Sequence, residues 1–146
     1  MKFPTLLALL LAPALALADT KGELEKVELK LRAQQAAPGS ETTLATKLHL
    51  REAISAADEI LNRVYQKHVA RLKKKGSDEY LNQQNEEILN RLVKAQRAWI
   101  AFKEANSILH GSEMLGGTGE GIIVSSSIYE MTKDRASELE AIFAAR

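Results

Sequence analysis

Leu92-Val93-Lys94-Ala95-Gln96-Arg97-Ala98-Trp99-Ile100-Ala101-Phe102-Lys103-Glu104 is the stretch whose reading decides the fold. It contains the only tryptophan of the chain. Leu92, Ala95, Trp99 and Phe102 recur at three- and four-residue steps and therefore share one face of a helix. Arg97 flanks that face. Val93, Lys94, Ile100 and Ala101 fill the positions one helical turn away, so no acidic residue of its own helix can pair with it. Two readings follow: the guanidinium snorkels to water, or it finds an anion on another element and pins two helices together.

Working outward, residues 41 to about 75 hold no glycine or proline, and Leu50, Ile54, Ala57, Leu61, Val64, His68 and Leu72 alternate steps of three and four. Lys73, Lys74 and Lys75 suit the negative end of the helix dipole. Gly76 fits a helix stop and Ser77 the cap of the next helix. That helix spans 78–109, with Leu81, Ile88, Leu92, Ala95, Trp99, Phe102 and Leu109 on its face and Gly111 as its stop. A two-residue junction between long helices makes an antiparallel αα-hairpin. With the turn at 76–77, Leu61 is expected to face Leu92, Ile54 to face Trp99 and Asp58 to face Ala95. Asp58 also lacks a basic neighbour one turn away, so Asp58 and Arg97 are expected to pair across the hairpin.

Before the hairpin, residues 20–36 present Leu24, Val27 and Leu31 as one short apolar face, closed by Pro38-Gly39-Ser40. With so few apolar anchors this segment is expected to pack loosely. After the hairpin, residues 110–121 carry five glycines and read as the one long connection. Residues 122–146 then form a last helix with Ile128, Met131, Arg135, Leu139 and Ile142 on one side, and Ser127 and Glu130 fit a capping box. Glu59-Ile60-Leu61-Asn62-Arg63 recurs as Glu87-Ile88-Leu89-Asn90-Arg91; duplication and helix-favouring composition both account for it. The expected fold is all-α: a long antiparallel αα-hairpin with a C-terminal helix packed on it, a small helical bundle.

The first eighteen residues read differently. Lys2 is followed by a Leu/Ala-rich run to Leu15, and Ala16-Leu17-Ala18 matches a signal-peptide cleavage site. The division expected is 1–18 signal peptide, 19–40 N-terminal helix and linker, and 41–146 helical domain, in a protein exported to the periplasm or beyond. No cysteine stands at the cleavage site or anywhere else, which excludes thiol chemistry and disulfides and leaves the fold to packing. Without Lys2 the chain carries 19 basic and 19 acidic residues, unevenly spread: 19–60 is −2, 61–103 is +6 and 104–146 is −4. The basic middle is expected to meet the acidic C-terminal part.

Little in the chain points to catalysis. His49, His68 and His110 have no metal-ligand spacing. The glycine-rich segment lacks the lysine and hydroxyl of a phosphate-binding loop. Ser112, Ser125, Ser126 and Ser127 have no nucleophile-elbow context. The three lysines lack the interleaved aromatics of a nucleic-acid surface. The residues thus describe an exported helical domain without catalytic residues, metal, cofactor or nucleic-acid partner. An envelope adaptor or structural module, binding a protein or an anionic polymer through the basic face of the hairpin, fits them as well as any.

Ala57-Asp58, Leu61-Asn62 and Tyr65, followed by Ala95-Gln96-Arg97-Ala98-Trp99, resemble the LprI-type lysozyme inhibitor family. Gly116-Gly117 and then Thr132, Arg135 and Leu139 resemble the glycine-containing loop and closing motif of that family. The resemblance spans about 57–139. Asp58, Asn62, Tyr65, Gln96, Arg97, Trp99, Thr132 and Arg135 are its structural motif. Ser107 and Ser127 stand where relatives carry cysteines, which implies that the two cysteines pair in those relatives and were lost here together. The resemblance implies an inhibitor that binds a lysozyme-like glycosidase and blocks its carboxylate-bearing cleft. The element expected to do so is the glycine-rich loop, with His110, Ser112, Gly116, Gly117 and Thr118.

Overall fold

The structure, a computed structural model, describes residues 6–144, with side chains for residues 19–144. Among the described residues it is an all-α bundle of four helices: α1 Leu6–Gln35, α2 Thr43–Lys73, α3 Glu79–Gly111 and α4 Glu120–Ala144, with a 3-10 turn Ser112–Met114 ahead of α4. The cleavage motif Ala16-Leu17-Ala18 lies outside the residues whose side chains are described. No described helix is long and apolar enough to cross a membrane.

The long apolar pattern of α2 behaves as its periodicity predicts. Leu50, Ala57, Leu61, Val64, His68 and Leu72 are all buried, and Ile54 is partly buried against the same core. The Thr42 side chain starts the helix by accepting the Ala45 N–H at 3.1 Å. The junction to α3 is longer than a two-residue turn. Lys74 already leaves the helix with ψ 112°, and Asp78 rather than Ser77 caps α3, accepting from the N–H groups of Tyr80 (2.9 Å) and Leu81 (3.2 Å). The Asn82 side-chain amide clasps Gly76, accepting its N–H at 2.9 Å and donating to its carbonyl at 3.0 Å.

The bundle is centred on α4 rather than on the α2–α3 hairpin. Its Tyr129, Thr132, Ala136, Leu139 and Phe143 are buried, and all three other helices pack on it. Cross-helix contacts fix the directions. Lys47 lies against Gly121 and Lys67 against Glu140, so α2 and α4 run parallel. Thr20 bonds Glu140 and Lys133 bonds Glu28, so α1 is antiparallel to α4. Gln96 bonds Arg135 and Ser107 lies against Met131, so α3 is antiparallel to α4.

Three expectations are corrected by this arrangement. The first concerns α1, which does not pack loosely. Leu24 and Leu31 belong to the same buried core as α2 and α4, and Thr20 is buried. Polar contacts with neighbouring helices supplement its few apolar anchors: Gln34 to Glu52 at 2.9 Å, Lys133 to Glu28 at 2.7 Å, and Arg63 to Glu23. The second concerns α3, which buries little of its expected face. Leu92 is buried and Ile88 and Trp99 partly so, but Ala95 is exposed, as are Leu81, Phe102 and Leu109. Its inner line is Leu92, Gln96, Trp99, Lys103, Ser107 and Gly111, turned toward α4. The third concerns the last helix, which begins at Glu120. No capping box forms at Ser127, and the buried face is turned away from Ile142, which is exposed.

Candidate protein-binding surface

Four of the motif residues, Asp58, Gln96, Trp99 and Arg135, converge, with a different pairing from the one expected. Asp58 and Arg97 do not meet. Arg97 is exposed and forms no ion pair among the described residues, while Asp58 meets Lys103, Nζ to Oδ1 3.8 Å. Lys103, and neither Ala95 nor Arg97, is the α3 residue that reaches Asp58. Lys103 Nζ also lies 4.8 Å from the centre of the Trp99 ring. The Arg135 guanidinium lies 5.9 Å from the same ring, and Arg135 Nε donates to Gln96 Oε1 at 3.1 Å. One indole thus carries two cations, drawn to its electron-rich face. Arg135 further donates to Glu138 at 2.7 Å. Asp58, Lys103, Trp99, Arg135 and Gln96 form a continuous seam joining α2, α3 and α4.

Thr132 is fully buried and returns its hydroxyl to the Ile128 carbonyl at 2.8 Å. Tyr65 packs partly buried against the core, and Asn62 is exposed. The Ser107 and Ser127 hydroxyls each lie 3.9 Å from Met131 Sδ, which places the two positions together at the α3–α4 crossing. Close approach of these helices depends on Gly111: a Cβ there would lie 2.5 Å from Val124 Cγ2. The seam is architectural. Its cations are sheathed by Trp99, and Arg135 is only 7% exposed.

The glycine-rich segment has a different character. α3 runs on to Gly111, so the connection narrows to 112–119, and it is held in place. Gly116 takes φ +74°, where a side chain would strain the backbone, and its N–H donates to Glu120 Oε2 at 2.8 Å. The Gly117 N–H donates to the Met114 carbonyl at 2.8 Å. Gly119 leaves room for Met114 Sδ, which a Cβ would approach to 2.6 Å. His110, Ser112 and Thr118 are exposed, and the Ser112 hydroxyl turns back to the Leu109 carbonyl.

Large apolar side chains crowd this end of the bundle. Leu109 is 67% exposed and Leu115 78% exposed, and Ile108, Met114, Leu44 and Leu48 are exposed beside the same end. The contact of Lys47 with Gly121 fixes the first turns of α2 here. Sequence reasoning selected the polar and glycine residues of the loop and missed these. The available signal was Ile108-Leu109 and Met114-Leu115 flanking a segment too short to bury them.

The opposite end holds a buried charged cluster. Glu140 is buried, accepts the Thr20 hydroxyl at 3.1 Å, and pairs with Lys67. Burial alone would raise its pKa, but the Lys67 hydrogen bond and charge outweigh it and hold the carboxyl below the usual range. His68 Nε2 lies 3.3 Å from Glu140 Oε2, and its ring stacks on Phe143 with centroids 4.2 Å apart. Burial pushes the His68 pKa down, against the pull of Glu140. Lys67–Glu140 joins the basic middle to the acidic C-terminal part, whereas Arg63 pairs with Glu23 and Lys103 with Asp58. No group of three metal-ligating side chains occurs among the described residues.

The described residues form a small helical bundle with a polar seam joining three helices and an apolar, glycine-braced end. The chain belongs to the Lysozyme inhibitor LprI family, whose model matches residues 33–139. It is also 36% identical over 90 residues to an uncharacterized protein of Rhizobium meliloti (strain 1021), a match covering 60% of this chain. The chain spans 63% of the length of that relative. No solved structure matches it.

Proposed function

We propose that this protein is exported and inhibits a lysozyme-like glycosidase by seating the loop end of the bundle, residues 108–119, against the cleft of that enzyme. The observation that carries the reading is the cluster of Ile108, Leu109, Met114 and Leu115, exposed beside a loop whose backbone is already held. A braced loop loses little conformational freedom on binding, and exposed apolar side chains supply the contact area. The exposed side chains of His110 and Thr118 add donors suited to a carboxylate-bearing cleft. Membership of an inhibitor family supports the target class and a role without catalysis.

The test is inhibition of lysozyme by the purified protein and by Leu109→Ser and Leu115→Glu variants. Both sites are exposed, so the fold should survive, and inhibition should weaken at least tenfold, as for hot-spot residues. Inhibition by both variants equal to that of the unaltered protein would remove the loop end from the interface. Absence of any inhibition by the unaltered protein would remove the function.

A further inference from the structure

The α2–α3 tip, at the far end of the bundle from the glycine loop, carries a second surface, and we propose that it docks on an anionic phospholipid bilayer. Arg71, Lys73, Lys74 and Lys75 are all exposed there. The acidic C-terminal part reaches Lys67 and His68 through Glu140, but Lys73, Lys74 and Lys75 form no ion pair among the described residues. Asp78 is spent on capping α3. Glu79 and Glu86 share a groove with the lysines without pairing with them, and the tip stays net positive.

Charge alone would suit any soluble polyanion. The neighbouring side chains favour a bilayer. Tyr80 is 68% exposed and Leu81 52% exposed in the first turn of α3, and Leu81 lines one groove with Lys74 and Lys75. Lysines at the headgroups with a tyrosine and a leucine at the acyl boundary is the composition of an interfacial anchor. The Asn82 clasp on Gly76 holds the tip rigid, which lowers the ordering cost of docking. The 31 residues of α2 span roughly 46 Å, so the loop end stays clear of a surface on which the tip rests.

The test uses protein purified as its host produces it, with its N-terminus determined, and vesicles of phosphatidylcholine with and without phosphatidylglycerol. Binding is expected to the anionic vesicles and to fall as salt rises. A Lys73→Gln/Lys74→Gln/Lys75→Gln variant should bind about a hundredfold more weakly. A Lys94→Gln/Arg97→Gln variant, with equal-sign charges removed from exposed positions on α3, should bind almost as well as the unaltered protein. Leu81→Ser should weaken binding to vesicles while leaving binding to a soluble polyanion such as heparin unchanged. Equal binding to neutral vesicles, indifference to the triple substitution, or indifference to Leu81→Ser would each overturn the proposal, the last in favour of a soluble polyanion. Lysozyme inhibition, read separately, is independent of every one of these outcomes.

Discussion

Two arginines of the family motif should behave in opposite ways when truncated. Arg135 is 7% exposed, bonds Gln96 and lies over Trp99. Removing its side chain loses one part-buried hydrogen bond, about 1 kcal/mol. It also loses a cation–π contact of roughly 0.5–1 kcal/mol and the packing of its aliphatic stem, about 1 kcal/mol. The Glu138 pair adds little, because Glu138 is exposed and solvent screens it. Arg135→Ala should therefore cost about 2–3 kcal/mol, a fall in Tm of roughly 10 °C for a chain of this size. Arg97 is exposed and without an ion-pair partner among the described residues, so Arg97→Ala should change stability by no more than about 0.5 kcal/mol. Urea and thermal unfolding followed by circular dichroism, with the single tryptophan as a second probe, measure both. Comparable losses for the two variants would refute the seam as drawn and revive an interhelical role for Arg97.

Gly111→Ala should destabilise by about 1–2 kcal/mol in urea, because the new methyl meets Val124 at the α3–α4 crossing and the gain in helix propensity offsets only part of that. Stability should fall on acidification in two stages. The depressed His68 pKa means that below its unfolded value, about 6.5, the unfolded chain binds the extra proton more readily. The depressed Glu140 pKa contributes stability above about 4.5 that is lost as pH falls through its folded value. A His68→Gln variant should lose the first stage in a pH series of melts, and an unchanged profile would count against the burial argument. Ser107→Cys/Ser127→Cys should oxidise spontaneously and add about 3 kcal/mol, as for a loop of this length; failure to form the bond under air would mean that the two positions do not face each other across Met131.

The helices were legible in the sequence because their signals are local. The apolar steps of α2 mark residues that are nearly all buried, and the absence of glycine and proline marks its extent. What was not legible is which helix the others surround. α4 carries Tyr129, Thr132, Ala136, Leu139 and Phe143 inward; of the expected face, Arg135 and Leu139 are buried, while Ile128 and Met131 are only partly so and Ile142 is exposed. Apolar periodicity fixes a stripe but not its neighbour, and a stripe on α3 reads the same whether a helix or solvent lies beside it. The Asp58–Arg97 expectation failed for that reason. It assumed a two-residue turn, whereas five residues, 74–78, join the helices, and Lys103 is the cation that reaches Asp58. Of the loop residues, the glycines were visible because the backbone needs them; the exposed leucines were not, since sequence alone assigns leucine to the interior.

That last failure bears on function. The fold leaves Phe102, Ile108, Leu109, Met114 and Leu115 uncovered along the C-terminal half of α3 and into the loop. Exposed apolar residues scattered singly need no explanation, but a run at one end of one helix does. Solubility would disfavour such a run unless something covers it. The seam cannot be that something, since it is turned inward and its cations, Lys103 and Arg135, are occupied. The distinction between what makes the fold and what meets a partner therefore falls along α3 itself. Its α4-facing line from Gln96 to Gly111 builds the bundle, while its outer line and the braced loop beyond are free to bind. Substitutions on the first line should lower stability and inhibition together, and substitutions on the second should lower inhibition alone.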